Sequence, residues 1–90
     1  MERKFQNITE MRKLYKQWIP GLPLVELLGD RRVLIERHQG VLAYNTEEIK
    51  IKVSYGEICV HGNDLVVAKM SKEQLVVFGR IQGVMLYRRG

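Results

Sequence analysis

The sequence predicts a mostly β fold, namely a compact antiparallel β-meander that forms a sandwich or an open barrel, with an N-terminal amphipathic α-helix. Two observations predict the sheet: short apolar segments follow one another closely, and glycines and other turn residues separate them. A third predicts the helix, because large apolar side chains recur every three or four residues near the N-terminus. We therefore divide the chain into a helical arm, residues 1–20, and an all-β domain, residues 21–90.

The helical arm combines an apolar face with basic side chains. Phe5, Ile8 and Trp18 have the spacing of one helix face, and Pro20 and Pro23 end the helix because proline cannot continue its hydrogen bonds. Five basic residues stand against two acidic ones, a net charge of +3. We expect the arm to pack on the sheet, to lie on an anionic membrane surface, or to recruit a protein partner. The candidate membrane- or partner-binding residues are Arg3, Lys4, Phe5, Arg12, Lys13, Tyr15, Lys16 and Trp18.

From Leu24 onward the apolar period changes to two, which is typical of strands with one wet and one dry face. The predicted strand segments are Val33–Gly40, Val41–Tyr44, Ile49–Tyr55, Ile58–His61, Leu65–Met70, Leu75–Phe78 and Val84–Tyr87. Turn chemistry is expected at Gly29-Asp30, Gln39-Gly40, Asn45-Thr46, Tyr55-Gly56 and Gly62-Asn63-Asp64. Positive φ angles are expected at Gly56, Gly62 and Gly79.

The last strands are apolar on both faces, which predicts a surface built to dock. A domain this small covers one face of its sheet more easily than both. Exposed apolar area costs roughly 25 cal/mol per Å² relative to burial, which favours self-association or a protein partner. The candidate docking positions are Leu65, Val67, Val76, Phe78 and Met85.

Catalytic and metal-binding patterns do not emerge from the sequence. Cys59 and His61 would point to the same side of a strand, but with His38 they lack the four ligands in paired spacings that mark zinc sites. Ser54 and Ser71 lack a nucleophile elbow. We therefore expect no enzyme activity, no metal and no cofactor.

Net charge, cysteine content and hydropathy limit the remaining classes of protein. The net charge is +5, a single cysteine excludes an internal disulfide, and no apolar stretch has the length of a spanning helix. We expect a cytoplasmic protein that the basic arm could bring to a membrane surface. A small basic β-barrel that binds nucleic acid is the alternative, although its aromatic residues are scattered near strand ends and its sheet charges are mixed. These aromatic residues are Tyr44, Tyr55, Phe78 and Tyr87.

Three ordered motifs give the chain a family resemblance. The first comprises Ile35, Glu36, His38, Gly40, Leu42 and Tyr44; the second Gly56, Ile58, Val60, Gly62, Leu65 and Val67; the third Val77, Gly79 and Ile81. In this order and spacing they resemble the YabP/YqfC family of bacterial sporulation proteins. Arg37 departs from the pattern, which has Asn at that position. The resemblance covers Leu22 to Tyr87 and gives Glu36, His38, Gly40, Gly56, Gly62 and Gly79 structural roles.

The resemblance implies a protein of the mother cell that acts during sporulation in building the spore envelope, cortex and coat, around the forespore. It implies no enzymatic activity and carries over no catalytic residue. A membrane-anchored sporulation protein is the partner that it implies. The location that follows is the mother-cell cytoplasm, with peripheral contact at the forespore membrane.

Overall fold

The computed structural model describes residues 21–89, which form one six-stranded antiparallel sheet. Its strands are β1 Leu24–Leu28, β2 Arg32–Glu36, β3 Val41–Tyr44, β4 Glu48–Val53, β5 Gly56–Met70 and β6 Gln74–Arg88. The order across the sheet is β1-β2-β6-β5-β4-β3. Strands β3 to β6 thus form a meander, whereas the β1–β2 hairpin joins the free side of β6. The mostly β, antiparallel prediction is confirmed; the predicted helix of residues 1–20 lies outside the described residues.

Strands β5 and β6 are longer than the sequence predicts, with 15 residues each. The turn predicted at Gly62-Asn63-Asp64 is wrong, because β5 runs through these residues. The β5–β6 register instead shifts between His61 and Gly62 and again between Asn63 and Val66. Asp64 there has a φ of 54°. These irregularities are β-bulges, which bend a strand and increase its twist without ending it.

The bend divides the β5–β6 hairpin into two parts. The tip half comprises residues 63–70 and 74–80 together with β2, which pairs with them, for example through Val33 opposite Val77, and β1, which pairs with β2. The base half comprises residues 56–62 and 81–88 together with β4, which pairs with them, for example through Ile51 opposite Ile58, and β3, which pairs with β4. Ten fully buried side chains from both halves and their neighbours form a single core, so the folded sheet packs one half against the other. They are Val33, Ile35, Ile49, Ile51, Val53, Ile58, Val60, Leu65, Leu75 and Val77.

Two glycines occupy the bend because the backbones approach too closely for a side chain. A Cβ added at Gly62 would collide with the carbonyl oxygen of Arg80 on β6. At Gly79, where φ is +147°, an added Cβ would lie 2.8 Å from the carbonyl oxygen of Asp64. The positive φ predicted for Gly56 and Gly79 is confirmed. The same prediction for Gly62 is wrong, and close packing is what requires glycine there.

The tip half buries apolar side chains on its outer face as well, the face opposite the core. Leu34 and Val76 are directly opposite each other on β2 and β6, and they are only 8% and 6% exposed. Glu26 on β1 is the other neighbour of Leu34. Within residues 21–89, no helix is long and apolar enough to cross a membrane.

Candidate functional site

Exposed apolar side chains are the most prominent surface feature of residues 21–89. On the outer face of the tip half, Leu28 is opposite Arg32, Arg32 is opposite Phe78, and Phe78 is opposite Val66. We call Leu28, Val66 and Phe78 the tip patch. The large hydrophobic side chains that are exposed are Leu22, Leu27, Leu28, Leu42, Tyr44, Val66, Met70, Phe78, Met85, Leu86 and Tyr87.

The base half exposes apolar side chains at the end of β6. Met85 is opposite Cys59 and Tyr87 is opposite Glu57, which places both on the outer face. Tyr87 and Leu42 also line a shallow cleft of about 340 Å³ that contains basic and acidic side chains. The base half therefore mixes apolar and charged groups, whereas the tip patch has one charged neighbour, Arg32, in its row.

The structure places the predicted docking residues in different environments. Leu65 and Val76 are buried within the chain's own fold, so neither is available to a partner. Val67 is half-buried and packs against the core. Phe78 and Met85 are exposed, at 47% and 49%, in the tip half and the base half respectively. Leu65 faces inward because β5 bends at this point. The predicted arm residues 1–20 lie outside the described residues.

The first family motif ties the β2–β3 loop to the β5–β6 turn. The backbone N–H of Gly40 donates to His38 Nδ1 at 3.0 Å. Because Nδ1 accepts, the other nitrogen of a neutral ring, Nε2, carries the proton and donates to the carbonyl oxygen of Ser71 at 2.8 Å. Glu36 Oε2 accepts a hydrogen bond from the side chain of Gln74 at 2.9 Å. These side chains hold two loops together.

The departure from the family motif at Arg37 falls on an unusual backbone conformation. Arg37 has a φ of 64°, in the left-handed region, and its N–H donates to the carbonyl oxygen of Glu73 at 2.7 Å. Asn adopts this region at lower cost than most residues with a side chain. The conformation thus gives a physical reason for the Asn in the family pattern.

A second polar group lies on the outer face of β4 and β5 in the base half. Glu48 is directly opposite His61, and Cys59 is two residues before His61 on the same face. His61 Nδ1 lies 3.5 Å from Glu48 Oε2, and one ligand atom from each of the three residues lies within 4.8 Å of the other two. Among residues 21–89, these are the only three potential metal ligands that are grouped this closely.

The environment of Cys59 disfavours its thiolate. The residue is 2% exposed, and its Sγ lies 4.0 Å from Glu57 Oε1. Burial raises the pKa of the Cys59 thiol, and the carboxylates of Glu57 and Glu48 raise that pKa further, against a smaller lowering by Lys50. The thiol is therefore the favoured form unless a positive charge is added nearby.

In the sequence, Cys59 and His61 were considered together with His38 and no metal site was expected, whereas the structure groups them with Glu48. His38 belongs to the β2–β3 loop and is hydrogen-bonded there. Glu48 was missed because only the β4–β5 register brings it to His61. The sequence does place Glu48 on the polar face of its strand. The spacing of residues along the chain, however, does not show which residues of two strands are opposite each other.

The fold and the placement of the motifs define a class: a small antiparallel β protein with one folded sheet, glycines at its bend and a histidine-pinned loop. The YabP family profile matches residues 23–89, and the chain belongs to this family. It is similar to the "Uncharacterized protein YqfC" of Bacillus subtilis (strain 168), with 25% identity over 63 residues, 70% of this chain and 68% of that protein. No solved structure gives a significant match. The family resemblance seen in the sequence is confirmed.

Proposed function

We propose that this chain is a non-enzymatic sporulation protein that acts in the mother cell in spore envelope assembly, through contacts with proteins and with a membrane surface. Membership of the YabP family supports the biological setting. The observation that carries the molecular part is the tip patch, three exposed apolar side chains on one face of a folded sheet. Its function is to dock, either with a second copy or with a membrane-anchored sporulation protein.

The tip patch has the physical properties of a contact surface. Leu28, Val66 and Phe78 are 66%, 52% and 47% exposed. Full burial of one such side chain contributes roughly 1.5–3 kcal/mol, so covering the tip patch favours association. All three side chains project from paired strands, which hold them in fixed relative positions and reduce the entropy cost of ordering them on binding.

Residues 1–20 supply the second contact in this proposal. Their net charge of +3 attracts anionic lipid headgroups, and each Lys or Arg near such a surface contributes about 1 kcal/mol. A protein held at the cytoplasmic side of the forespore membrane in this way would meet a membrane-anchored partner there.

Sedimentation velocity and complementation test the docking function together. The full chain at micromolar concentration should self-associate or bind the purified soluble part of a membrane-anchored sporulation protein. The double variant V66T/F78S should weaken that binding at least about tenfold, because the apolar tip patch is lost. In a sporulating strain that lacks the gene, the same variant should fail to restore normal spore yield, whereas the parent chain should restore it.

Leu42→Ser is the matched control, since Leu42 is also exposed on a strand but lies on β3, away from the tip patch. It should bind and complement like the parent chain. The proposal is wrong if V66T/F78S binds and complements normally. Binding to single-stranded RNA that weakens with added salt would instead favour the nucleic-acid alternative.

A further inference from the structure

The Glu48–Cys59–His61 cluster combines the three ligand types that zinc prefers. It offers a thiol sulfur, an imidazole nitrogen and a carboxylate oxygen, all from adjacent paired strands. Because strands β4 and β5 are hydrogen-bonded to each other, the backbone fixes the three Cα positions. Such a set differs from a group of surface carboxylates, which attract hard cations weakly and without a fixed coordination geometry.

The distances in the cluster are close to those of a bound ion. A tetrahedral zinc ion with bonds of about 2.0–2.3 Å holds its ligand atoms roughly 3.4 Å apart. His61 Nδ1 and Glu48 Oε2 are 3.5 Å apart, and the whole set is within 4.8 Å. The remaining contraction is at most about 1.4 Å, which small side-chain rotations of the three residues can supply.

Two polar atoms of the cluster are not well satisfied by the described protein. His61 Nδ1 lies 3.5 Å from Glu48 Oε2, and the other ring nitrogen, Nε2, is buried with no hydrogen-bond partner among residues 21–89, so neither nitrogen has a strong hydrogen bond that a metal ion would have to displace. Cys59 is 2% exposed, and its thiol donates only a weak hydrogen bond, with 4.0 Å between Sγ and Glu57 Oε1. Buried polar groups without good partners are costly, and they often mark a binding site.

The charges around the cluster favour a cation. Glu48 and Glu57 both lie near Cys59, and Lys50 opposite Cys59 is the basic group that opposes them. A divalent ion would offset the two carboxylates and supply the positive charge that a Cys59 thiolate needs. Binding would release the thiol proton to solvent as the sulfur–metal bond forms.

We propose that Glu48, Cys59 and His61 form a binding site for a divalent transition-metal ion of the zinc class. Three protein ligands leave the fourth position of a tetrahedral ion open to water or to a ligand from a partner. The site lies on the outer face of the base half, and the proposal is independent of docking at the tip patch.

Metal titration of the full reduced chain tests the site, with Co²⁺ as the spectroscopic probe. Bound Co²⁺ should give a thiolate-to-metal charge-transfer band at one ion per chain, and added Zn²⁺ should remove the band. Cys59→Ser should abolish the band. Glu48→Gln and His61→Gln should each weaken Co²⁺ binding at least about tenfold, because each loses a ligand or its charge.

His38→Gln is the matched control, because the His38 ring is held in the β2–β3 loop by its own hydrogen bonds. Its Co²⁺ affinity should equal that of the parent chain. Zn²⁺ should also raise the unfolding midpoint of the parent chain more than that of His61→Gln, which measures binding without a spectrum. A parent chain without the band, or Glu48→Gln and His61→Gln variants with unchanged affinity, would overturn the site. If Cys59→Ser does not fold, these two half-buried positions still decide the question.

Discussion

The tip half and the base half of the β5–β6 hairpin share one core but have different outer faces. On the inner faces both supply aliphatic side chains, such as Val77 in the tip half and Val60 in the base half. On the outer faces, the tip half pairs Leu34 with Val76, whereas the base half brings polar groups together around Cys59. The core thus explains how the chain folds, and the two outer faces are where its functions are to be sought.

The bend between the halves should be the position most sensitive to substitution. Gly62→Ala forces a methyl group against the carbonyl oxygen of Arg80, so the β5–β6 pairing must open or shift. We expect a loss of at least about 3 kcal/mol in the free energy of unfolding, among the large effects that backbone clashes produce. Urea unfolding followed by circular dichroism measures it.

Gly83→Ala is the matched substitution, because Gly83 is in β6 of the base half and no neighbouring atom lies within 4 Å of its added Cβ. Its free energy of unfolding should change by less than about 1 kcal/mol. Equal losses at the two glycines would show that the halves are not held together by close packing at the bend.

The outer face of the tip half gives the second test, since it contains both a buried and an exposed leucine. Leu34 is 8% exposed and Leu28 is 66% exposed, although both point to the same face. Leu34→Ala should lower the free energy of unfolding by about 2 kcal/mol or more, because buried contacts are lost and a cavity forms. Leu28→Ala should change it by less than about 0.5 kcal/mol.

Chemical denaturation of both variants alongside the parent chain provides the measurement. A small loss for Leu34→Ala would mean that the outer face of the tip half contributes little to folding. The difference between the halves would then be confined to their surfaces. A large loss for Leu28→Ala at micromolar concentration would instead indicate that the tip patch is already covered by a second copy.

The sequence predicted a chain of antiparallel strands but not their extents, because β1 was not among the predicted strand segments and β5 and β6 were each predicted as two strands. Turns at Gly29-Asp30 and Asn45-Thr46 were predicted correctly, because both lie between two separate short strands. Gly62-Asn63-Asp64 has the same turn chemistry, yet it forms a bulge, since bulges and turns both use residues that tolerate positive φ. Local residue preferences do not distinguish the two.

The pairing of strands that are distant in the chain is the second feature that the sequence did not predict. Nothing in the local pattern of β2 indicates that it pairs with β6 and not with β3, its neighbour in the chain. The same limit applies to the candidate metal site, where Glu48 reaches His61 only through the β4–β5 register. The sequence also did not predict which side chains of one strand face are exposed. Val76 and Phe78 are two residues apart and point to the same face, but only Val76 is buried.

The smallest expected effect concerns the thiol of the base half, measured with metal removed by a chelator. Since the pKa of Cys59 is raised by burial and then by Glu57 and Glu48, the thiolate fraction in the folded chain should be lower than in the unfolded chain. Iodoacetamide should therefore alkylate folded Cys59 more slowly than the urea-unfolded chain at the same mildly alkaline pH.

Substitutions of the charged neighbours should move the pH dependence of alkylation in opposite directions. Glu57→Gln removes a carboxylate that raises the pKa of Cys59, so the alkylation profile should move to lower pH. Lys50→Gln removes a charge that lowers this pKa, so the profile should move to higher pH.

The raised pKa of Cys59 also predicts how the free energy of unfolding depends on pH. The folded state holds the thiol proton more tightly, so the free energy of unfolding should fall as pH rises from the unfolded thiol's pKa towards the folded one. Cys59→Ala should lack this fall, and a parent chain without it would contradict the electrostatic difference between the two halves.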